Sequence, residues 1–461
     1  MMNNLRVIKI MQTMSPAQAL AFYYAAAILI GSALLATPWA ANGSPLSFLD
    51  ALFTATSAQC VTGLIVVDTG TRLTLFGQGV VLALIQIGGL GITTFSVYLF
   101  IYLKVGVSGR GRWIIHETLM HSPVNSWRDL IRGIFLMTLV IEAAGAVLLA
   151  FAFVPVLGFW EGVYSAVFHS ISAFCNAGFS LFTDSLVGFR DNPLVNLTVM
   201  GLIILGGIGF LVIRELIQVA RVRAKKRSQR PKLSLHTKIV LVASSFLIVF
   251  GAVMIGWLES GNSLATMPFT EGLWTALFQS VTARTAGFNT IDLNAFRAPT
   301  VFLVIFLMFV GASPGSAGGG VKTTSMALFF AIFYNRLKGN QHTSLFRRTI
   351  PDEAITKALA LVLLAIILIG IALFGLMIVQ IPDLAHENMR EFLGYTFEAF
   401  SAFGTVGLSI GATAKLNALG KLIIIVLMFV GRVGLLTMAF AIAGRTRRHA
   451  PRYAEENIMI G

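Results

Sequence analysis

Four short stretches of this chain carry residues whose types and spacing point to a chemistry of the main chain. Ser57-Ala58-Gln59-Cys60-Val61-Thr62-Gly63-Leu64 returns as Ser172-Ala173-Phe174-Cys175-Asn176-Ala177-Gly178-Phe179. It returns again as Thr282-Ala283-Arg284-Thr285-Ala286-Gly287-Phe288 and as Ser401-Ala402-Phe403-Gly404-Thr405-Val406-Gly407-Leu408. Each closes on small or medium residues, a glycine and an apolar residue. Glycine accepts dihedrals that a side chain forbids, so it lets consecutive carbonyls turn to one side. Carbonyls gathered that way can replace the water shell of a small cation. The candidate ligand set is therefore Val61, Thr62, Gly63 and Leu64; Asn176, Ala177, Gly178 and Phe179; Thr285, Ala286, Gly287 and Phe288; and Thr405, Val406, Gly407 and Leu408.

A second motif follows each stretch. Gly88-Gly89-Leu90-Gly91, Gly206-Gly207-Ile208-Gly209, Gly311-Ala312 and Gly431-Arg432-Val433-Gly434 begin 25, 28, 24 and 24 residues after the first glycine. Two motifs in one order, four times over, mark a quadruplicated chain. Most of these second glycines read as helix-packing positions, small residues that let helices approach closely.

Two features break the symmetry. Residues 311–325, Gly-Ala-Ser-Pro-Gly-Ser-Ala-Gly-Gly-Gly-Val-Lys-Thr-Thr-Ser, interrupt the apolar run of the third unit, and no other unit reads as interrupted. Gly315 to Lys322-Thr323 approaches a phosphate-binding loop, but one extra residue spoils the spacing and an apolar helix stands where a strand is needed. A flexible break in a helix lining a path is a candidate gate instead. Its residues are Gly311, Ala312, Ser313, Pro314, Gly315, Ser316, Ala317, Gly318, Gly319, Gly320 and Lys322. Arg432 is the other anomaly, because a charge within an apolar run faces a bundle interior or cavity. Placed below the four stretches, it would brake cation flow. Its register matches Ala312, so the two are expected to meet.

The elements that must position these residues are membrane helices. The chain has 461 residues, 56% hydrophobic and 12% charged, which excludes an ordinary soluble domain. Apolar runs long enough to cross a bilayer fall near 17–38, 74–103, 130–154, 192–220, 236–258, 299–336, 353–381 and 418–444. Shorter amphipathic segments at 47–59, 161–174, 268–283 and 390–403 precede the four glycine stretches and read as re-entrant pore helices. The expected fold is an all-α polytopic membrane protein of four parallel span–pore helix–span repeats. Eight transmembrane helices and four pore helices would surround a pseudo-fourfold pore. The units read as residues 1–105, 106–228, 229–340 and 341–445, with a cytoplasmic tail at 446–461. The first run reads as a retained span, since the polar segment before it lacks a cleavable signal pattern.

Net charge +14 could indicate a nucleic-acid partner, but 25 of the 34 basic residues fall before the first span, in residues 104–132, 214–238 and 336–357, or after 444. That alternation is topogenic and puts both termini in the cytoplasm of a multi-pass protein of the cell membrane. No nucleic acid is expected. Asp68, Asp184 and Asp292 follow three of the glycines by five or six residues, where carboxylates would concentrate cations. Glu161, Glu271 and Glu398, on the short helices, read as facing the outer water layer. Cys60 and Cys175 occupy matching positions and read as small packing residues without a disulfide. No nucleotide site and no catalytic His/Asp/Ser constellation is visible, which argues against an enzyme or a pump. A secondary carrier coupling a cation to sodium or proton remains the competitor, with Glu142 its plainest mid-span acid.

The fourfold plan, the four glycine stretches, Gly315-Ser316-Ala317-Gly318-Gly319-Gly320-Val321-Lys322-Thr323 and Arg432 together resemble the Trk/Ktr/HKT superfamily of potassium transporters. Within it the chain is most similar to the Ktr-type membrane subunits (KtrB or KtrD), having eight apolar crossings and glycine in all four filter positions. The resemblance implies that the four stretches are a potassium selectivity filter, that residues 311–325 are an intramembrane gate and that Arg432 is the pore arginine. It also implies a homodimer with one pore per protomer and activation by sodium. The implied partner is a cytosolic RCK-type regulatory ring (KtrA or KtrC-like) that binds ATP or ADP, with no nucleotide on this chain.

Overall fold

The structure, a computed structural model, describes residues 15–105, 127–224, 232–380, 389–435 and 437–439. The amino-terminal segment, the tail at 446–461, and residues 106–126 and 225–231 within the basic segments 104–132 and 214–238 lie outside the described residues.

One order of elements recurs four times. A long helix leads, a short helix follows, a glycine hairpin turns the chain, and a further apolar helix closes the unit. The first unit comprises α1 (Pro16–Leu35), α2 (Phe48–Gln59) and α3 (Leu75–Val105). The second has α4 (Trp127–Leu157), α5 (Phe159–Phe174), α6 (Pro193–Ile208) and α7 (Phe210–Ala224). The third has α8 (Leu235–Glu259), α9 (Phe269–Thr282), α10 (Ala298–Phe309) and α11 (Thr323–Leu337). A two-stranded hairpin, β1 (Ser344–Leu345) and β2 (Arg348–Thr349), leads into α12 (Asp352–Gln380), α13 (Met389–Gly404) and α14 (Ala418–Val433).

Local signals start these helices where they start. Ser15 closes a capping box with Gln18, and Pro16 occupies a first-turn position where its missing N–H costs nothing. Ser47, Ser234 and Asn417 cap α2, α8 and α14 by accepting main-chain N–H groups. Among the described residues, α1, α4, α8 and α12 are long and apolar enough to cross a membrane, and the pair α6 and α7 qualifies if counted as one bent span. Leu363, Ile367, Ile371 and Phe374 of α12 are all more than half exposed. An apolar face of that size is stable against lipid and unstable against water.

The structure corrects the expectation that only the third unit is interrupted. Helices α6 and α7 meet at Gly209 with a bend of 102°. Gly209 adopts φ 91°, ψ 143°, and Gly434 after α14 adopts nearly the same pair, φ 91°, ψ 136°. In both units the last glycine of the second motif is where the helix breaks. The first glycine of that motif behaves as a packing position. A Cβ on Gly88, Gly206 or Gly431 would strike the carbonyl oxygen of Gln59, Phe174 or Phe403, at the ends of α2, α5 and α13. In the third unit Gly311 instead packs on Gly319 of its own loop.

Contacts between units follow a ring. Arg190 pairs with Glu271 at 2.7 Å, joining the second unit to the third. Arg390 donates to the Asn294 carbonyl at 3.1 Å, joining fourth to third. Lys421 of α14 pairs with Asp50 of α2 at 2.6 Å and closes the fourth unit on the first. Cys60 and Cys175 are buried and unbonded to each other.

Candidate ion path: four filter segments and a gate

Each short helix ends in a residue of unusual conformation. Val61, Asn176, Thr285 and Thr405 have φ of 55°, 59°, 75° and 48°. Three of them are β-branched, and the left-handed region costs such residues about 1–2 kcal/mol each. Two residues on, Gly63, Gly178, Gly287 and Gly407 again have positive φ, of 93°, 69°, 80° and 89°. Alternating handedness along three residues turns successive carbonyls toward one side. Repeated strain at four equivalent places persists only where the surrounding structure over-determines it.

The surroundings do so by hydrogen bonds from one buried hydroxyl per unit. The Gly63 and Gly407 N–H groups donate to Ser57 Oγ and Ser401 Oγ, each at 3.1 Å. Ser172 Oγ donates to the Phe179 carbonyl at 2.8 Å, and Thr282 Oγ1 donates to the Phe288 carbonyl at 2.6 Å. The carbonyl of the same Ser or Thr accepts the N–H of Thr62, Ala177, Ala286 or Val406 at 2.7–3.0 Å. These hydroxyls lie inside the repeated motif, yet no sequence rule singles them out as supports. Leu64, Phe179, Phe288 and Leu408 are buried behind the hairpins.

The four hairpins meet in a closed cycle. A Cβ added to Gly63 would strike the Ala177 carbonyl oxygen, and one on Gly178 would lie 2.8 Å from that of Ala286. One on Gly287 would lie 2.5 Å from the Val406 oxygen, and one on Gly407 would strike that of Thr62. Each glycine thus abuts the carbonyl just before the next unit's glycine, in the order one, two, three, four, one. The C-terminal ends of α2, α5, α9 and α13 run into this ring, so four negative helix ends point at it. Asn176 and Thr285 side chains hydrogen-bond across units at 3.1 Å.

Directly against the ring lies the interrupted segment of the third unit. Gly319 N–H donates to Thr405 Oγ1 at 3.0 Å, and a Cβ on Gly318 would strike Thr285 Oγ1. The segment is pinned on its other side by α6 and α7. Ser313 N–H donates to the Gly207 carbonyl at 3.0 Å, Ala317 N–H to that of Gly206 at 3.1 Å, and Phe210 N–H to that of Gly315 at 3.1 Å. Val310 and Val321 pair as an isolated bridge across its base, so Gly311, Ala312 and Gly320 sit in a narrow neck. Ser316 Oγ donates to the Ser313 carbonyl at 2.6 Å, and Pro314 approaches Gly209.

Two cations hold the segment's carbonyls. Lys322 Nζ donates to the Gly318 carbonyl at 2.7 Å. Arg432, 3% exposed, donates to the Ala317 carbonyl through Nη1 and to the Gly88 carbonyl at 2.8 Å through Nη2. Arg432 therefore does meet the broken segment, but at Ala317, five residues beyond the position its register indicated. The Gly88 carbonyl also accepts the Tyr24 hydroxyl at 2.8 Å, a partner that sequence reading missed because the two residues lie far apart in the chain.

Residues 11–446 match the family model of TrkH, described as a cation transport protein. The chain is 39% identical to Ktr system potassium uptake protein B of Bacillus subtilis, over 97% of both chains. It is 40% identical to the protein of the same name from Vibrio alginolyticus, over 94% of this chain and 92% of that one. The chain belongs to the TrkH family. Its fold is also that of the crystal structure of the potassium transporter TrkH from Vibrio parahaemolyticus, with a TM-score of 0.74 at 20% identity, covering 94% of this chain and 86% of that one.

The acidic residues of this TrkH-family chain divide by role. Asp68 accepts the N–H and hydroxyl of Thr71, and Asp292 accepts the Asn294 N–H, so both organise turns. Asp184 contributes its carbonyl to a turn with Val187. Glu161 lies in the first turn of α5, and Glu271 is the partner of Arg190. Glu398 corrects the expectation of a water-facing group. It is fully buried, and Ser409 and Thr413 donate to its two oxygens. Glu142 sits between the first two units, accepting from Gln86 at 3.0 Å and from Cys175 Sγ at 3.8 Å.

Proposed function

We propose that this protein is the pore-forming subunit of a Ktr-type system, taking up potassium through a channel-like path down the membrane potential. The observation that carries the reading is the closed cycle of glycines and carbonyls, each filter glycine seated on the carbonyl before the next. Such a ring offers a dehydrated cation a cage of main-chain oxygens. The negative ends of four helices favour positive charge there at no reorganisation cost. The names of the two Ktr relatives support potassium as the ion.

In this reading the chain makes eight crossings in four units bounded near residues 105, 228, 340 and 445, with both termini cytoplasmic. The filter residues select, while residues 311–322 and Arg432 close the path below them. The Arg432 guanidinium, held between Ala317 and Gly88, adds a fixed positive charge that repels a cation leaving the ring. A cytosolic RCK-type ring that binds ATP or ADP would act on the gate through the basic inner segments, sodium would activate, and two copies of the chain would form a homodimer in the cell membrane. The reading is tested by potassium and rubidium uptake into liposomes, with sodium present or absent and the regulatory partner present or absent. Potential-driven uptake that saturates with potassium, resists sodium competition and answers to the partner is expected; obligatory stoichiometric co-transport would refute it.

One observation favours a carrier as the second reading. Glu142 is a buried carboxylate at a unit interface, hydrogen-bonded to Cys175 next to the filter. If it carried a coupled proton, Glu142→Gln would uncouple uptake from a pH gradient. On the channel reading, uptake follows the electrochemical gradient of potassium alone in both the parent and the Glu142→Gln chain.

A further inference from the structure

The bend between α6 and α7 exchanges one set of hydrogen bonds for another. In an unbroken helix the Phe210 N–H would donate to the Gly206 carbonyl, four residues back. Here the two groups have separated, and both bond the gate segment. Phe210 N–H donates to the Gly315 carbonyl, and the Gly206 carbonyl accepts Ala317 N–H. Buried at membrane depth, neither group can go unpaired. The same donor and acceptor therefore serve two arrangements that exclude one another.

Gly209 makes the bent arrangement accessible. At φ 91°, ψ 143° it lies where an L side chain is strained. An added Cβ would stand 2.7 Å from the Pro314 carbonyl oxygen of the gate segment itself. Neither penalty exists in a straight helix, where alanine is better than glycine. The gate segment is otherwise held by Lys322, Arg432, the Ser313 bond to Gly207 and the Gly319 bond to Thr405. Of these, the Ser313 bond also competes with a straight helix, in which the Gly207 carbonyl would accept the Leu211 N–H; the other three do not.

We propose that the α6–α7 elbow at Gly209 is the latch of the gate, and that straightening α6 and α7 into one helix releases residues 313–317. Re-forming the Phe210–Gly206 bond withdraws both partners from the segment in one step, so the elbow has two discrete states. Helix α7, whose last turn carries Arg221 and Arg223, is the lever that sets which state is occupied. The proposal rests on the reading of residues 311–322 as a gate and adds how that gate is held.

Two substitutions of opposite sign test it, read as rubidium uptake into liposomes by the full chain without a regulatory partner. Gly209→Ala strains the bend and favours the straight helix, so uptake should rise roughly tenfold, the scale of one or two exchanged hydrogen bonds. Leu211→Pro keeps the Phe210 N–H on the Gly315 carbonyl but blocks the straight helix, in which residue 211 must donate to the Gly207 carbonyl. It falls in the first turn of α7, where proline is tolerated as Pro299 is in α10. It should cut the parent's uptake, roughly threefold or more, and should return Gly209→Ala to the parent level or below. A Gly209→Ala chain that folds as the parent and takes up rubidium no faster overturns the latch, as does a Leu211→Pro chain that folds as the parent and whose uptake is unchanged or raised. If Gly209→Ala does not fold, the proline variant decides. Deleting residues 314–320 separates the two levels. If that deletion fails to raise uptake, the gate reading falls. If it does raise uptake while Gly209→Ala has no effect, the latch alone falls. In the deleted chain Gly209→Ala should add nothing.

Discussion

Replacing Gly63 with serine puts a side chain where the ring has no room for one. At φ 93° an L residue carries about 1–3 kcal/mol of backbone strain. The new Cβ would also strike the Ala177 carbonyl oxygen and lie 3.1 Å from Gly178 Cα. Both neighbours are main chain, so neither can swing aside as a flexible side chain would. The strain is relieved only by moving the hairpin of the first unit or the Ala177 carbonyl of the second, and both are candidate ion ligands. About 2 kcal/mol taken wholly from ion discrimination corresponds to roughly thirtyfold, which bounds the effect. The expected result is a fall of roughly three- to thirtyfold in preference for potassium over sodium, measured as sodium competition with rubidium uptake in liposomes. Gly63→Ala should behave alike, because the clash belongs to Cβ and not to the hydroxyl. Two folded variants with the parent's ion competition would refute the assignment of the ring as the filter.

Ser172→Ala leaves the buried Phe179 carbonyl without its 2.8 Å donor, at a cost of about 1–3 kcal/mol. Reduced thermal stability together with weaker ion discrimination is expected, whereas lower stability with intact discrimination would limit Ser172 to packing. Deletion of residues 314–320 should raise uptake and remove its dependence on any regulatory partner; unchanged or reduced flux in a folded chain argues against a gate there. Arg432→Ala frees the Ala317 and Gly88 carbonyls and removes a fixed charge, so cation flux should rise. Arg432→Lys should restore only part of the restraint, since one ammonium at the end of a flexible stem cannot reproduce the planar fork. A folded but inactive Arg432→Ala chain would make the arginine structural.

Much of this protein is legible without coordinates. The fourfold repeat, the short helices before each glycine and the interruption at 311–322 are local properties, set by apolar run length, capping residues and glycine content. The short helices fall within two residues of where the amphipathic pattern places them, because run length and a cap such as Ser47 at the start of α2 are local. The left-handed turns after them are not, since β-branched Val61, Thr285 and Thr405 disfavour that conformation. Tertiary structure decided which group faces which. No local rule pairs Gly63 with the Ala177 carbonyl or Gly407 with that of Thr62, since those partners lie in different units and meet only when the ring closes. The apolar run through Ile208-Gly209-Phe210 reads as continuous helix for the same reason. A glycine permits a 102° bend but does not require one. What makes the bend stable is a competing set of partners, Gly315 and Ala317, brought to Phe210 and Gly206 from another unit. Dihedral preference is a property of the residue and can be read along the chain. Satisfaction of a buried hydrogen bond belongs to whatever the fold brings near, and in this protein that is where the ring of four hairpins closes and the segment at 311–322 is held.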